Sequence, residues 1–251
     1  MTARRTFAAR FKSWREAFLD RHSDADDWRN RYYSGTNWTQ YRAAVALMAE
    51  GCVGLVLDAG SGRSGWRRTI LRTAGGYESL DLAPRGDARP DWIGDLTSMP
   101  QVPGHRFDSL VCHQVLEHVT DPMAAARELA RVLKPGGLAV ISVPHLSRRH
   151  ELPHDYYRFT PEGLVFVLAQ AGFSIKRVVP YGGVLSFLHH QVSTLILSPV
   201  AAVPLLGDGL AAIMAPISIA IGCLDRLLDP ISLAPVGVVV LAQSTNHPPD
   251  A

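Results

Sequence analysis

The sequence predicts an α/β protein: a doubly wound, mostly parallel seven-stranded sheet with a hydrophobic helical insertion before the last strand. Three observations predict this fold. Short apolar runs alternate with helical segments, a glycine-rich turn follows the first run, and a long uncharged stretch precedes the last one. Of the 251 residues, 47% are hydrophobic, which is enough for one large core.

The predicted strands are short apolar runs bounded by turn-forming residues. Because they are apolar throughout and separated by helical segments, we expect them to be buried and largely parallel. In chain order they are Val53–Leu57, Tyr77–Leu82, Trp92–Ile93, Ser109–Cys112, Leu138–Val143, Ser174–Val179 and Val236–Leu241.

Two core helices carry start and stop signals. Asp121-Pro122 predicts a helix start, since aspartate caps the first turn and proline fits its first position, and Lys134–Gly137 ends that helix. Thr160-Pro161 starts another, which stops at Gly172.

The chain divides into four predicted regions. The first is helical and amphipathic: Phe7, Phe11, Trp14 and Phe18 share one face and alternate with basic residues. Packing across the domain and attachment to anionic lipid are both open for it. The regions are 1–50 (N-terminal helical region), 51–182 (cofactor-binding core), 183–234 (hydrophobic helical insertion) and 235–251 (last strand and polar tail).

Composition excludes several classes of function. A formal net charge of +2 gives no reason to expect a nucleic-acid partner. Cys52, Cys112 and Cys223 are isolated, so neither a disulfide scaffold nor a structural zinc site is expected. No apolar secretory segment opens the chain, and we expect a cytoplasmic location, at the inner face of a membrane.

The turn after the first strand identifies the class of ligand. Gly60–Gly65 has the spacing of a dinucleotide-binding loop, but Asp58 stands two positions before it. A carboxylate there would repel a pyrophosphate and attract a ligand that carries positive charge and no phosphate. The alternative is that Asp58 only caps the following turn.

Two further acids follow the next strands. Asp81 lies 23 residues after Asp58, where a carboxylate can accept hydrogen bonds from both hydroxyls of a ribose. Asp95 can accept from an adenine amino group while Leu96 packs against the ring, although a lone aspartate is more often a turn residue.

These residues form a set with Val115–Pro122 and Leu133–Gly137, and the set resembles the class I S-adenosylmethionine-dependent methyltransferases. Within that family it resembles the ubiquinone-type and small-molecule O-methyltransferases over residues 40–180. The resemblance implies a Rossmann-like methyltransferase fold and S-adenosylmethionine as cofactor. It implies contacts with the methionine end from Asp58, Gly60, Ser61 and Gly62, with the ribose from Asp81 and Leu82, with the adenine from Asp95 and Leu96, and with the sulfonium from His113, Gln114 and Val115.

Methyl transfer to a hydroxyl requires alignment and removal of a proton, for which histidine is suited near neutral pH. We choose His154 as the general base, in a loop where Asp155 and Arg158 are expected to pair. The other candidates are His113, His118, His145 and His150.

No metal is predicted for this site. In related quinone-type enzymes, acids and a histidine matching 114–118 can hold a divalent metal. Here Gln114 replaces the first acid, and Glu117-His118 is interpreted as structural hydrogen bonding at a helix start.

The insertion indicates a surface for lipid. Residues 184–207 and 209–224 contain no Asp, Glu, Lys or Arg, yet the last strand must return to the sheet, which excludes a single membrane crossing. An interfacial hairpin, an apolar lid and a dimer surface remain, and we favour peripheral membrane contact through 184–224 and the N-terminal helix.

The leading interpretation is O-methylation of a small or lipid-like acceptor: an envelope lipid, a quinone or a glycan. An NAD-dependent oxidoreductase and a non-catalytic membrane-associated module that keeps the fold are the alternatives. The sequence indicates neither the acceptor nor the oligomeric state.

Overall fold

The computed structural model describes residues 24–31, 34–201 and 206–245. It contains a seven-stranded sheet in the order β3-β2-β1-β4-β5-β7-β6. Six strands run parallel and β7 runs antiparallel between β5 and β6, which confirms the predicted sheet. The strands are β1 (Leu55–Ala59), β2 (Gly76–Asp81), β3 (Trp92–Ile93), β4 (Phe107–His113), β5 (Leu133–Pro144), β6 (Phe173–Tyr181) and β7 (Gly237–Ser244).

Helices cover both faces of the sheet. On one face Leu47 packs in a cluster with Val56, and on the other Leu129 and Leu164 pack in a cluster with Leu57. Removal of these apolar side chains from water is the main stabilising contribution to such a fold. The helices are α1 (Trp28–Arg31), α2 (Gly35–Gly51), α3 (Arg67–Ile70), α4 (Pro122–Val132), α5 (Pro161–Gln170), α6 (Val184–Ala201) and α7 (Leu206–Leu228), with a 3₁₀ turn at Leu116–His118.

The predicted helix caps are present. The Asp121 carboxylate accepts a hydrogen bond from the Ala124 amide at 2.9 Å, and the Thr160 hydroxyl accepts one from the Gly163 amide at 3.0 Å. Gly172 adopts a φ of 91° just beyond α5, as a C-terminal glycine does. These local signals therefore set the ends of the helices that support the sheet.

The predicted N-terminal amphipathic face, Phe7 to Phe18, lies outside the described residues. The same is true of the end of the polar tail, residues 246–251.

The predicted insertion forms two helices, α6 and α7, which pack on α2 by close backbone approach. A side-chain carbon at Gly35 would lie 2.9 Å from Ile221, and one at Gly222 would lie 2.9 Å from Thr39. The buried Asp225 carboxylate of α7 accepts hydrogen bonds from the first amides of α6, those of Leu185 and Ser186. The two helices are therefore fixed to each other and to the core.

The opposite side of α7 carries an exposed apolar stripe, here called the α7 face, at the three- and four-residue spacing of one helix side. Among the described residues, one helix, Asp208–Leu228, is long and apolar enough to cross a membrane by length and composition alone. The α7 face consists of Ile213, Ile217, Leu224, Leu227 and Leu228.

Candidate functional site

The chemistry-bearing residues meet where β1, β2, β4 and β5 end. These four strands are parallel neighbours, so the loops after them lie at one edge of the sheet. This edge is where ligands bind in open α/β sheets. The predicted cofactor residues lie in the last positions of β1, β2 and β4 or just after β1 to β4, whereas His154 lies in the loop after β5.

The glycine-rich loop is hydrogen-bonded to the end of β2. The amides of Gly60 and Ser61 both donate to the Leu80 carbonyl, at 2.8 and 2.9 Å, and the Gly62 amide donates to the Asp81 carboxylate at 2.7 Å. Three successive amides are thus satisfied within the protein. A loop that cradles a pyrophosphate instead directs its amides at the ligand.

Gly60 also sets how closely the loop approaches β4. Its φ is +78°, and a side-chain carbon there would lie 2.5 Å from Val115. Both constraints require glycine. At Gly62, by contrast, a side-chain carbon would meet nothing within 4 Å, so the backbone faces open space.

Asp58 is nearly buried, with 3% of its surface exposed, and it accepts a hydrogen bond from the Tyr77 hydroxyl at 2.7 Å. Burial raises the pKa of Asp58 to about 6, against the effect of the Tyr77 hydrogen bond, and the nearby Asp81 carboxylate raises it further. The hydrogen bond to Tyr77 runs to the neighbouring strand and not to the following turn. Tyr77 was not predicted as a site residue.

The other predicted cofactor residues differ in exposure. Asp81 is buried beside the loop, whereas Leu82 is exposed. Asp95 is exposed and accepts from the amide and hydroxyl of Thr97, both at 2.8 Å, as a turn residue does. Leu96 packs in the main core, so at most its edge can contact a ring.

The end of β4 forms the opposite wall. The Nδ1 atom of His113 lies 2.7 Å from the Ser142 hydroxyl, and burial lowers the pKa of His113 to about 3, so this imidazole is neutral near pH 7. The side-chain amide of Gln114 donates to the hydroxyls of Ser142 and Tyr181. The Gln114 side chain is therefore held by these two hydroxyls.

Glu117, His118 and His150 form a cluster, here called the Glu117 cluster. Glu117 is fully buried, and neither of its carboxylate oxygens has a hydrogen-bond partner among the described residues. The Nε2 atoms of His118 and His150 are 3.1 Å apart, and each lies 3.7 Å from Glu117 Oε1. The adjacent carboxylate raises the pKa of His150. The structural hydrogen bonding predicted for Glu117-His118 is made by the His118 ring, to the His154 carbonyl, and by the Glu117 carbonyl, from the Tyr156 amide; among the described residues the Glu117 carboxylate takes no part in it.

The loop that carries His150 and His154 is held by an ion pair. Arg158 donates to both oxygens of Asp155, at 2.6 and 2.8 Å, which lowers the pKa of Asp155 to about 2 and confirms the predicted pairing. His154 is exposed; its Nδ1 lies 2.9 Å from the Tyr156 hydroxyl, and its carbonyl lies 2.6 Å from His118 Nδ1.

Comparisons with known proteins agree with this geometry. Residues 57–141 match the methyltransferase domain family. A ubiquinone biosynthesis O-methyltransferase from Xanthomonas euvesicatoria pv. vesicatoria is 30% identical over 54% of this chain and 65% of its own length. One from Xanthomonas campestris pv. campestris is 33% identical over 35% of this chain and 41% of its own length. The chain thus spans less than two thirds of each relative.

The fold is shared with a solved structure of low sequence identity. A methyltransferase dependent on S-adenosylmethionine from Archaeoglobus fulgidus has a TM-score of 0.53 at 16% identity, over 83% of this chain and 94% of that one. This likeness shows that the fold is shared, and residues 57–141 are similar in sequence to methyltransferase domains.

Proposed function

We propose that this protein transfers the methyl group of S-adenosylmethionine to an oxygen of a small or lipid-linked acceptor, an envelope lipid, quinone or glycan, at the cytoplasmic face of a membrane. One observation carries the choice of cofactor chemistry. The three loop amides are bound to Leu80 and Asp81, and two carboxylates flank them. This arrangement disfavours a pyrophosphate and suits a cationic ligand without phosphate.

The site residues fit S-adenosylmethionine. The open space beside Gly62 admits close approach, and the buried Ser61 hydroxyl has no hydrogen-bond partner among the described residues. Asp58, Gly60, Ser61 and Gly62 would hold the methionine end, Asp81 and Leu82 the ribose, Asp95 and the edge of Leu96 the adenine, and 113–115 would border the sulfonium.

The bound cofactor supplies an already activated methyl group, so the protein has to align the acceptor and accept a proton. We propose His154 as the proton acceptor. Its imidazole is exposed to an incoming acceptor and hydrogen-bonded to the Tyr156 hydroxyl, and the Asp155–Arg158 pair fixes the loop beside it. The buried, neutral His113 is better suited to shaping the wall.

Oxygen as the acceptor atom is supported by the relatives, which are ubiquinone biosynthesis O-methyltransferases.

The α7 face supports attachment to lipid. Leu227 is 76% exposed and Ile213 is 61% exposed, on a helix whose other side is packed against α2. A continuous apolar stripe of this kind is a mark of membrane or protein interaction. We choose anionic lipid as the partner because the N-terminal sequence adds aromatic residues alternating with Arg and Lys. Asp225 and the packing of Gly222 hold α7 along the domain, consistent with interfacial contact.

The cofactor proposal is tested by titrating S-adenosylhomocysteine into the folded protein by calorimetry. We expect micromolar binding that Asp58→Ala abolishes, with no binding of NAD. Binding of NAD instead would favour the oxidoreductase alternative. Binding of S-adenosylhomocysteine without transfer of a labelled methyl group to any component of a membrane extract would favour the non-catalytic module.

The role of His154 is tested by methyl transfer once an acceptor is found. His154→Gln should lower kcat at least about 100-fold with little change in cofactor affinity. An unchanged kcat and pH profile would exclude His154 as the base.

The membrane proposal is tested by cosedimentation with vesicles of phosphatidylglycerol and phosphatidylcholine. Ile213→Glu combined with Leu227→Glu should remove most of the binding. Phe166→Glu is the matched control, because Phe166 is equally exposed, at 63%, on α5 at the opposite face of the sheet. Equal binding by all three proteins, or a concentration-dependent dimer that only the double variant loses, would reject lipid in favour of another occupant.

A further inference from the structure

We propose that the Glu117 cluster is a binding site for a divalent transition-metal ion, with Glu117, His118 and His150 as ligands. The first observation is the orphaned carboxylate. Glu117 is fully buried, and both of its oxygens are without a hydrogen-bond partner among the residues described here. A buried charge without such a partner is strongly unfavourable unless a cation or a set of donors compensates it.

The second observation is the separation of the candidate ligand atoms. The two Nε2 atoms are 3.1 Å apart, and each is 3.7 Å from Glu117 Oε1. Ligands at about 2.0–2.1 Å from a tetrahedral zinc ion are separated from one another by about 3.3–3.4 Å. The observed distances lie on either side of that value, so one ion can reach all three atoms with small side-chain movements.

The third observation is the orientation of the imidazoles. His118 Nδ1 lies 2.6 Å from the His154 carbonyl, which requires the proton on Nδ1 and leaves the Nε2 lone pair directed at the cluster. His150 Nδ1 lies 3.4 Å from both the Arg148 carbonyl and Arg158 Nη2, an acceptor and a donor, which place the ring without selecting a tautomer. Metal-binding histidines are usually oriented in this way by a carbonyl on the other ring nitrogen.

Direct pairing of the histidines with Glu117 explains the cluster less well. At 3.7 Å, neither imidazole is within hydrogen-bond distance of the carboxylate. The neighbouring Arg158 donates to both oxygens of Asp155, and its Nη2 atom lies 3.4 Å from His150 Nδ1. Within the part of the chain that the structure describes, the buried carboxylate therefore lacks donors that would satisfy it without an ion.

The donor set indicates which metals the site prefers. Two imidazoles and one carboxylate suit Zn²⁺, Co²⁺, Fe²⁺ or Mn²⁺, whereas Mg²⁺ prefers oxygen ligands. The Gln114 side chain is bound to Ser142 and Tyr181 and does not complete an oxygen-rich set. Since the His150 side chain is 32% exposed, a further coordination position can face solvent.

The test uses full-length protein freed of metal by a chelator, without S-adenosylmethionine, so its result does not depend on the proposed methyl transfer. Calorimetric titration should show one Zn²⁺ or Co²⁺ bound per chain, and Mg²⁺ at least about 10-fold more weakly. His150→Ala and Glu117→Gln should each weaken Zn²⁺ binding at least about 100-fold. His154→Ala, which removes a neighbouring imidazole outside the cluster, should leave the affinity for Zn²⁺ unchanged.

Thermal unfolding separates a metal ligand from a structural acid. In metal-free protein, Glu117→Gln should leave the Tm unchanged or raise it, because a neutral amide replaces an uncompensated carboxylate. It should also lose the rise in Tm that Zn²⁺ gives the wild type. The proposal is overturned if neither ion binds at millimolar concentration, if binding survives both substitutions, or if metal-free Glu117→Gln is clearly less stable.

Discussion

The Asp58 carboxyl, proposed above to meet a cationic ligand, should destabilise the empty protein when it ionises. Its pKa rises from 3.8 to about 6 because it is buried. The unfolded chain therefore releases this proton at lower pH than the folded one, and ionisation opposes folding as the pH rises through that window. From these two values, the destabilisation grows from about 0.5 kcal/mol at pH 4 to about 3 kcal/mol at pH 7.5.

Asp58→Asn removes this effect, since Tyr77 can still donate to the amide oxygen. Measured by urea unfolding without cofactor, the stability of the variant relative to wild type should rise by about 2 kcal/mol or more between pH 4 and pH 7.5. The exposed Asp87, changed to asparagine, is the control and should show no such pH-dependent gain. A difference that stays constant with pH, or a variant that loses stability as the pH rises, would refute the assignment of a buried, destabilised carboxyl.

Three further predictions concern the loop, the site and its support. Gly60→Ala should lower the free energy of unfolding by about 2–4 kcal/mol, and a second substitution, Val115→Ala, should recover part of this loss in a double-mutant cycle; simple additivity would argue against the contact. The affinity for S-adenosylhomocysteine, measured by calorimetry, should fall about 10-fold from pH 7 to pH 5, because Asp58 must be ionised to pair with the ammonium group of this ligand. An affinity that does not change with pH would contradict that pairing. Burial would raise the pKa of Asp26, but hydrogen bonds from Tyr41 and Arg68 prevail and hold it below 3.8. Asp26→Asn should therefore lower the free energy of unfolding by about 2 kcal/mol at pH 7, and by progressively less as the pH falls below 3.8, measured by denaturant unfolding. A loss of the same size at pH 7 and below pH 3.8 would indicate a packing effect.

The sheet and its capped helices were predictable because their signals are local. Asp121 and Thr160 cap helices through bonds to residues three positions away, and the apolar runs mark the strands without knowledge of their neighbours. The observed strands differ from the predicted ones in their end residues. For example, β5 begins at Leu133, five residues before the predicted Leu138, because Leu133 already pairs with Phe107 on β4.

The site was only partly predictable, because several of its contacts depend on register and on loops. Tyr77 on β2 reaches Asp58 on the neighbouring β1, and a strand pattern does not give that pairing. His150 lies 32 residues after His118, so the loop after β5 decides whether their imidazoles meet. The missing acid at Gln114 was visible in the sequence, but the direction of its side chain was not.

The way in which the chain leaves and rejoins the sheet around α6 and α7 has an evolutionary consequence. Tyr181 and Gly237 are opposed in neighbouring antiparallel strands, and the Val236 amide donates to the Tyr181 carbonyl at 2.9 Å. In the topology of the sheet, α6 and α7 form the connection between two neighbouring antiparallel strands, β6 and β7. Such connections tolerate changes of length and sequence. This segment can therefore change in length and sequence while the strands that carry the candidate site keep their register. On the proposed function, membrane contact through α7 could then change separately from cofactor binding.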